Sequence, residues 1–449
     1  MGPSSVFQDY LDAYRPERFL DLFGSLAPEL HLLANPARTI PVSPVPVLLA
    51  SRLEGFFSEL TTALWGIVAD PHYRNTCSGN IPRFMLDPEL RSTPNIPFDA
   101  GSNIGCIDVH LEHGEPRLIE FMVLPPGMSG IYPGILSGYQ RHLESLLPGI
   151  RLRSFAGGWD RDRCEERIVQ GMLGPGEVER VAIVDWEPEK QITYGEFLYL
   201  LERVRRTRGV PGLVADPREV AAGGERVLVK GLPVSRIVNR VTLPDWEAHQ
   251  GVLTAYTRLL WESPEVFSYH PYQWFLGDKN SLALLSDPDV LARLVPDPVS
   301  RRRLQAFIPA TFRLSSFGPA AGEGAPHQGQ VDLSRLLKRF PDPSRIVLKP
   351  VSSHASKGVF YGPVDTPDRD KLAEALRAID PGEYVVMELV PPPEIDVPRG
   401  GGTLERWKFD IRLFVLNSGY VFPGARIYLG EYTNQLPCRA FAPLYFVGD

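Results

Sequence analysis

Forty-four prolines spread along all 449 residues constrain this chain more than any other feature. Proline carries no N–H and fixes its own φ, so it ends helices and stays out of central strands. Because the prolines are dispersed, they mark turns between many short elements and do not form a proline-rich tail. A chain of this length also exceeds one ordinary core, so two or three packed units are expected. Apolar residues at 43% and charged residues at 22% give a globular composition and exclude disorder. The net charge of -7, with Lys and Arg scattered, argues against a nucleic-acid or anionic-membrane role. No apolar run is long enough to span a bilayer. The N-terminus, with Asp9, Asp12 and Glu17, lacks the basic start and apolar stretch of a signal peptide. Cys77, Cys106, Cys164 and Cys438 lie far apart without a CxxC pair, which points to free thiols in a reducing cytoplasm and no zinc site.

Periodicity divides the chain. Residues 5–68 read mostly as helix, with apolar spacing in Phe19-Leu20-Leu22-Phe23 and Phe56-Phe57-Leu60-Leu64. From Ile104 the period changes to two: Ile104–Leu111 and Arg117–Leu124 read as strands around the turn Glu112–Glu115, followed by a helix over Gly134–Leu147. Val181–Val184 and Gly212–Asp216 are strand candidates flanking a helix from Thr193 to Arg206, with Thr193 as its cap and Glu196 in capping-box position. Val227–Val229 and Ser235–Val238 resemble a hairpin around Lys230–Pro233. This alternation predicts a small α/β domain over 155–265. Residues 315–330, rich in Gly, Ala and Pro, read as a loop or linker. Beyond it come strand Arg345–Lys349, strand Gly358–Tyr361, helix Arg369–Ile379 and strand Tyr384–Leu389. Two long strands over Phe409–Leu429 then turn at Asn417-Ser418-Gly419. No internal repeat is present.

Three segments in one order carry the chemistry. In Val347-Leu348-Lys349-Pro350-Val351-Ser352-Ser353-His354-Ala355-Ser356-Lys357-Gly358, a lysine ends an apolar strand and small residues follow. Small side chains let backbone N–H groups approach phosphate oxygens, while the lysine supplies a fixed positive charge. Tyr384–Val390 is an apolar strand interrupted by Glu388, an acid able to hold a ribose or an adenine edge. In Trp407–Val415, alternation puts Asp410 and Arg412 on one face and Ile411 and Leu413 on the other. Each segment alone also reads as plain structure: a hairpin with a polar loop, a solvated glutamate, a surface ion pair. His270 and His327 read as structural histidines.

Taken together, these segments resemble the ATP-grasp superfamily, whose members show a lysine strand with a small-residue loop, an acid at the adenine hinge and an Asp-x-Arg strand. Arg426 in Gly424-Ala425-Arg426 and Asn434 in Glu431-Tyr432-Thr433-Asn434 continue the match, and Gly277-Asp278-Lys279 resembles the earlier lysine element. Cys106–Leu111 and Pro116–Met122 resemble, near the front of the chain, the metal-bearing strands of circularly permuted members, which include eukaryotic-type glutathione synthetase and glutathionylspermidine synthase. The segment 231–240 resembles their substrate-domain hairpin. The match touches most of the chain from about 100 to 435.

The resemblance implies an α/β (α+β) chain with a circularly permuted ATP-grasp fold. Its parts are a mostly helical region at 1–100, strands carrying metal ligands at 101–154, an α/β substrate domain at 155–265, and lid and core strands at 266–449. It implies a soluble cytoplasmic ATP-dependent ligase that forms a carbon–nitrogen bond through an acyl phosphate. ATP and Mg2+ would be the cofactors, small-molecule carboxylate and amine substrates the partners, with an amino acid or small peptide among them. Neither nucleic acid nor membrane is a partner, and a homodimer is compatible. By this resemblance Arg412 and Lys349 are catalytic, and Asp108 and Glu120 bind metal. Lys279, Lys349, Ser352, Ser353, Ser356, Lys357, Gly358, Met387, Glu388, Asp410, Arg426 and Asn434 contact the nucleotide.

Some positions depart from the pattern. Met122 stands where relatives place an Asn metal ligand, and a thioether is a poor ligand for magnesium. The phosphate loop has fewer glycines than in many relatives, and no Gly-Gly pair follows Asn434. Two alternatives therefore stay open: a nucleotide-binding scaffold without catalysis, and an ATP-dependent phosphotransferase.

Overall fold

The computed structural model describes residues 3–13, 43, 45–89, 94–99, 103–223, 226–318, 331–352, 357–399, 403–431 and 439–448. The first strands are β1 (Val47–Ala50), β2 (Ile104–Glu112), β3 (Glu115–Met122) and β4 (Leu152–Arg153). Six short strands follow: β5 (Val181–Val184), β6 (Gly212–Ala215), β7 (Val220–Gly223), β8 (Arg226–Val229), β9 (Leu232–Val234) and β10 (Arg236–Asn239). Next come β11 (Thr311–Arg313), β12 (Ile346–Pro350), β13 (Phe360–Tyr361) and β14 (Tyr384–Glu388). The chain closes with β15 (Glu394–Arg399), β16 (Thr403–Leu416), β17 (Gly419–Tyr428) and β18 (Arg439–Val447).

The fold is mixed α/β. The large sheet runs β1-β18-β17-β16-β2-β3, with β15 along β16 and β4 along β18. Segments distant in sequence therefore meet: β2 lies antiparallel to β16, and β1 parallel to β18. A parallel sheet β10-β5-β6 forms a second unit, and the antiparallel sheet β11-β14-β12-β13 a third. Strands β7, β8 and β9 make a small meander.

Alternation along β16 divides the core. Ile411, Leu413 and Val415 face one apolar cluster, while Phe414 and Leu416 face another. The first cluster is closed by the helix Arg52–Ala69, which buries Leu53, Phe57, Leu60, Leu64, Trp65 and Val68 at helical spacing. Tyr132, on the helix Tyr132–Leu146, closes the second, with its ring 5.6 Å from Phe414 and 6.1 Å from Phe422. Full burial of each such side chain contributes roughly 1.5–3 kcal/mol. Asp410 and Arg412 share the face of Phe414, so the second face is apolar at one end of β16 and charged at the other.

Most expected elements form within a few residues of their expected bounds, and three details differ. The stretch read as helix over 5–68 contains β1, whose buried Val47 and Leu49 find a partner only in β18. The strand β8 turns back onto β9, whereas 236–239 joins β5 in the parallel sheet, because the loop at 230–231 returns the chain immediately. Thr193 makes no cap bond, and Glu196 turns instead to the buried amides of Met128 and Gly130, which have a stronger need for an acceptor. Phe19–Phe23 and most of the segment 315–330 lie outside the described residues. No helix among the described residues is long and apolar enough to cross a membrane.

The chain approaches itself closely where Gly277 meets β3. A Cβ there would lie 2.7 Å from the carbonyl oxygen of Phe121 and 3.2 Å from Cα of Met122. Gly277→Ala is expected to lower stability by about 1–3 kcal/mol in chemical denaturation. Gly66→Ala, in open space on a helix surface, is expected to raise it by about 0.5–1 kcal/mol.

Candidate active site

Register builds the charged face. Arg412 on β16 stands opposite Asp108 on β2, and Asp108 opposite Glu120 on β3. One step along, Asp410 stands opposite Arg426 on β17. Asp108 accepts from Arg412 through both oxygens, Oδ1 from Nε and Oδ2 from Nη2, each at 2.7 Å. Arg426 Nη2 bridges Asp108 Oδ2 at 2.8 Å and Asp410 Oδ2 at 2.7 Å. His110 Nε2 lies 2.9 Å from Asp410 Oδ1, and its Nδ1 lies 2.8 Å from the carbonyl oxygen of Val390, just beyond β14. Burial opposes the charge on Asp108, but Arg412 and Arg426 outweigh it and hold the carboxyl below the usual carboxylate range.

Lys349 reaches this face from the other sheet. Its Nζ donates to the carbonyl oxygen of Ile119 at 3.2 Å and touches Met387 Sδ at 3.3 Å. Loss of solvent pushes the ammonium down to about 8; Glu120 opposes that shift and Lys279 adds to it. Lys279 opens the short helix Lys279–Leu285. Asp278 caps that helix, accepting from the N–H and the hydroxyl of Ser281 at 2.8 Å each. Burial raises Asp278 to about 6.

The structure thus brings Asp108, Glu120, Lys279, Lys349, Met387, Asp410, Arg412 and Arg426 together where Lys349 of β12 meets the large sheet. Ser352 ends the described part of the loop after β12, and Lys357 and Gly358 resume it, exposed. Gly358 has φ +72°, and its carbonyl accepts from the Tyr384 hydroxyl at 3.1 Å. Glu388 is held by Arg117, whose Nη2 lies 3.1 Å from Oε2 while its Nη1 binds Glu112 at 2.7 Å. Ser353, Ser356 and Asn434 lie outside the described residues, as do His327 and Cys438. His270 is structural: Nδ1 accepts from the Tyr272 amide and Nε2 donates to the Leu260 carbonyl, and burial lowers it to about 4.

Sequence reasoning passed over several groups. His110 lies two residues from Asp108 on the same face, a signal that strand alternation carries. Arg240 entered only as the last residue of the hairpin-like segment 231–240, and Asp185 carried no motif. Asp185 follows β5 and Arg240 follows β10, at the carboxyl ends of parallel strands, where α/β sheets hold ligands. Arg240 donates to the Pro125 carbonyl, and Glu196 accepts from Met128 N at 2.8 Å and Gly130 N at 2.9 Å. The loop that leaves β3 is therefore held by three bonds from the α/β unit. Met128 takes φ +75° in this loop, a strained conformation for a non-glycine residue.

The two carboxylates that the resemblance makes magnesium ligands differ in their bonding. Both oxygens of Asp108 are committed to guanidinium groups, and Met122 packs against the second apolar cluster. Among the described residues no three His, Cys, Asp or Glu side chains converge as metal ligands. Glu120 alone keeps a carboxylate to which no described residue donates a hydrogen bond.

No family model matches the chain, and no curated protein matches it by sequence. Among solved structures, it is similar to a glutathione synthetase-like effector from Globodera pallida in its apo form. That likeness covers 100% of this chain and 98% of the other, with TM-score 0.57 and 12% identity. The two chains share a fold. The likeness agrees with the mixed α/β fold that the resemblance implies, leaves the circular permutation untested, and at this identity concerns fold alone. Weaker likenesses run to a putative γ-glutamylcysteine synthetase from Methylobacillus flagellatus KT (TM-score 0.40, 12% identity, 87% and 86% covered) and to D-cycloserine synthetase (TM-score 0.29, 14% identity, 60% and 92% covered).

Asp185 gives a pH-dependent stability. Burial raises it to about 7, with Arg240 opposing the shift. Between the ordinary aspartate range and about pH 7 the folded chain holds a proton that the unfolded chain has lost, so this contribution to stability falls as pH rises through that window. Asp185→Asn is expected to remove it, flattening the stability–pH curve by at most about 1.4 kcal/mol per pH unit. Thermal melts of both proteins from pH 4.5 to 7.5 read the difference.

Proposed function

We propose that the chain binds ATP in the cleft between β12–β14 and the charged face of the large sheet, and uses it to join a carboxylate to an amine. The observation that carries this reading is Lys349, held between two sheets with Lys279 beside it and its own ammonium partly desolvated. Two cations this close repel, and a polyphosphate placed between them turns that repulsion into attraction. The ligase-type fold supports the choice of reaction.

In this reading Lys279 and Lys349 hold phosphate oxygens, and the loop from Ser352 to Gly358, with Ser353, Ser356 and Lys357, covers them. Glu388 and the backbone at Met387 hold the adenosine. Arg412 and Arg426, fixed by Asp108 and Asp410, face the reacting phosphoryl group, and Asn434 adds a polar contact. A substrate carboxylate oxygen attacks the γ-phosphorus, the bond to the β-phosphate oxygen breaks, and ADP leaves. An amine then attacks the acyl carbon, the C–O bond to phosphate breaks, and the amine's proton passes to solvent or a base. Positioning and fixed positive charge are what such a transfer requires. Magnesium ordinarily accompanies ATP in such reactions and neutralises phosphate charge; no step here runs through it. Arg240, which donates to the Pro125 carbonyl in the loop after β3, and Asp185, in its electrostatic reach, suit an amino acid or small peptide with a carboxylate and an amine.

A second reading is a nucleotide-binding scaffold without catalysis. It is favoured by the commitment of Asp108 to two arginines and by Met122. ADP release with pools of carboxylates and amines separates the two readings, and phosphate transfer that needs no amine would identify a phosphotransferase instead.

Calorimetric titration tests the cleft. Lys349→Ala is expected to weaken ATP binding about ten- to a hundredfold. A bound polyanion raises the pKa of Lys349 above its free value of about 8, so binding at ~pH 8.5 should take up protons and weaken as pH rises further. Titration in buffers of different ionisation enthalpy measures that uptake. Wild-type binding with neither a Lys349 effect nor proton uptake would refute the placement of the phosphates.

A further inference from the structure

Asp108 occupies the middle of the face where a divalent ion is expected, but its bonds point elsewhere. An ionised carboxylate offers about four acceptor sites. Here three are filled by guanidinium N–H groups, two from Arg412 and one from Arg426. The Asp108 side chain is 3% exposed, and those of Arg412 and Arg426 are 10% and 16% exposed. The one site left is on Oδ1, beside a bidentate guanidinium whose charge opposes a second cation there, and displacing that arginine would leave its charge buried without a partner. The chain of bonds continues from Arg426 to Asp410, from Asp410 to His110, and from His110 to the Val390 carbonyl beyond β14. Every member is polar or charged and every step lies at 2.7–2.9 Å, so the two arginines are fixed relative to the strand that carries Glu388. Glu120, opposite Asp108 in register, is in a different state. It is half-buried, accepts no hydrogen bond from a described residue, and has the ammonium of Lys349 as its counter-charge.

We propose that Asp108 is the anchor of Arg412 and Arg426 and not a metal ligand, and that a divalent ion accompanying the nucleotide meets the protein through Glu120 alone among the described residues. Asp108 is then a positioning residue: it sets where two guanidinium groups stand. This rests on the nucleotide reading of the cleft for the role of Glu120, whereas the role of Asp108 can be tested without nucleotide.

The full chain is titrated with ATP in excess Mg2+ and again in EDTA, as wild type, Asp108→Asn and Glu120→Gln, with thermal melts of all three. Asp108→Asn is expected to lower Tm by several degrees and to leave the ratio of the two dissociation constants within twofold of wild type. Glu120→Gln is expected to bring that ratio close to one with little change in Tm. A ratio already near one in the wild type overturns the role given to Glu120. Loss of the ratio in Asp108→Asn with an unchanged Tm overturns the proposal. Should that variant fail to fold, Mn2+ titration of the nucleotide-free wild type by electron paramagnetic resonance decides the question. Absence of a micromolar site is expected, and a stoichiometric one overturns the anchor role. Failure of ATP to bind in either buffer refutes the nucleotide reading, while the melts and the Mn2+ titration still decide the role of Asp108.

Discussion

Two guanidinium groups converge on one carboxylate in the middle of the large sheet, and the arrangement around them follows from that contact. A buried ion pair is tolerated only when its geometry is good and its remaining hydrogen bonds are satisfied. Asp108 and Arg412 meet both conditions through a bidentate pair, and Arg426 supplies the third bond. Because the three residues lie on β2, β16 and β17, the pairing also holds those strands in register. A shift of one residue would turn every one of these charges into the apolar cluster on the opposite face.

The same contact decides what the cleft can do. Arginines held by aspartates present oriented positive charge without having to reorganise when an anion arrives, which suits charge stabilisation. Lys349 complements them from a second sheet. Its ammonium bonds to a backbone carbonyl of β3, so the two sheets are tied together at the point where a nucleotide would enter. Gly277 makes the third approach possible, since only a residue without Cβ lets Asp278 and Lys279 come this close to β3. Three elements far apart in sequence thus deliver their charges to one place, each by a different local device: a strand register, a strand end and a helix start.

Much of this was legible beforehand. Alternation in Trp407–Val415 placed Asp410 and Arg412 on one face, and the apolar strands around Lys349 and Glu388 are where the sequence put them, because a two-residue period has one packing solution when one face must be buried. The turn at Asn417-Ser418 likewise forms, with both residues at positive φ. Other features were not legible. Glu196 looked like a capping residue and proved to be the acceptor for two loop amides, since the demand for it came from a loop some distance away in sequence. Strand β1 read as helix because its partner, β18, lies at the far end of the chain. That Arg412 and Arg426 both donate to Asp108 was not legible either, since a motif does not show which neighbouring cations pair with a carboxylate.

By itself the sequence determined the local periods, the breaks at proline and glycine, and the identity of the charged residues on each strand face. These depend on backbone sterics and on side-chain alternation, which act over a few residues. The tertiary structure alone decided which charges neutralise one another. Asp108 and Arg412 are separated by most of the chain, and whether a carboxylate serves a metal or an arginine depends on distances of a few tenths of an ångström that only strand pairing sets. Electrostatic roles in a buried site therefore belong to the fold, because the strength and the partner of each charge are fixed by what solvent has been excluded and by what has taken its place.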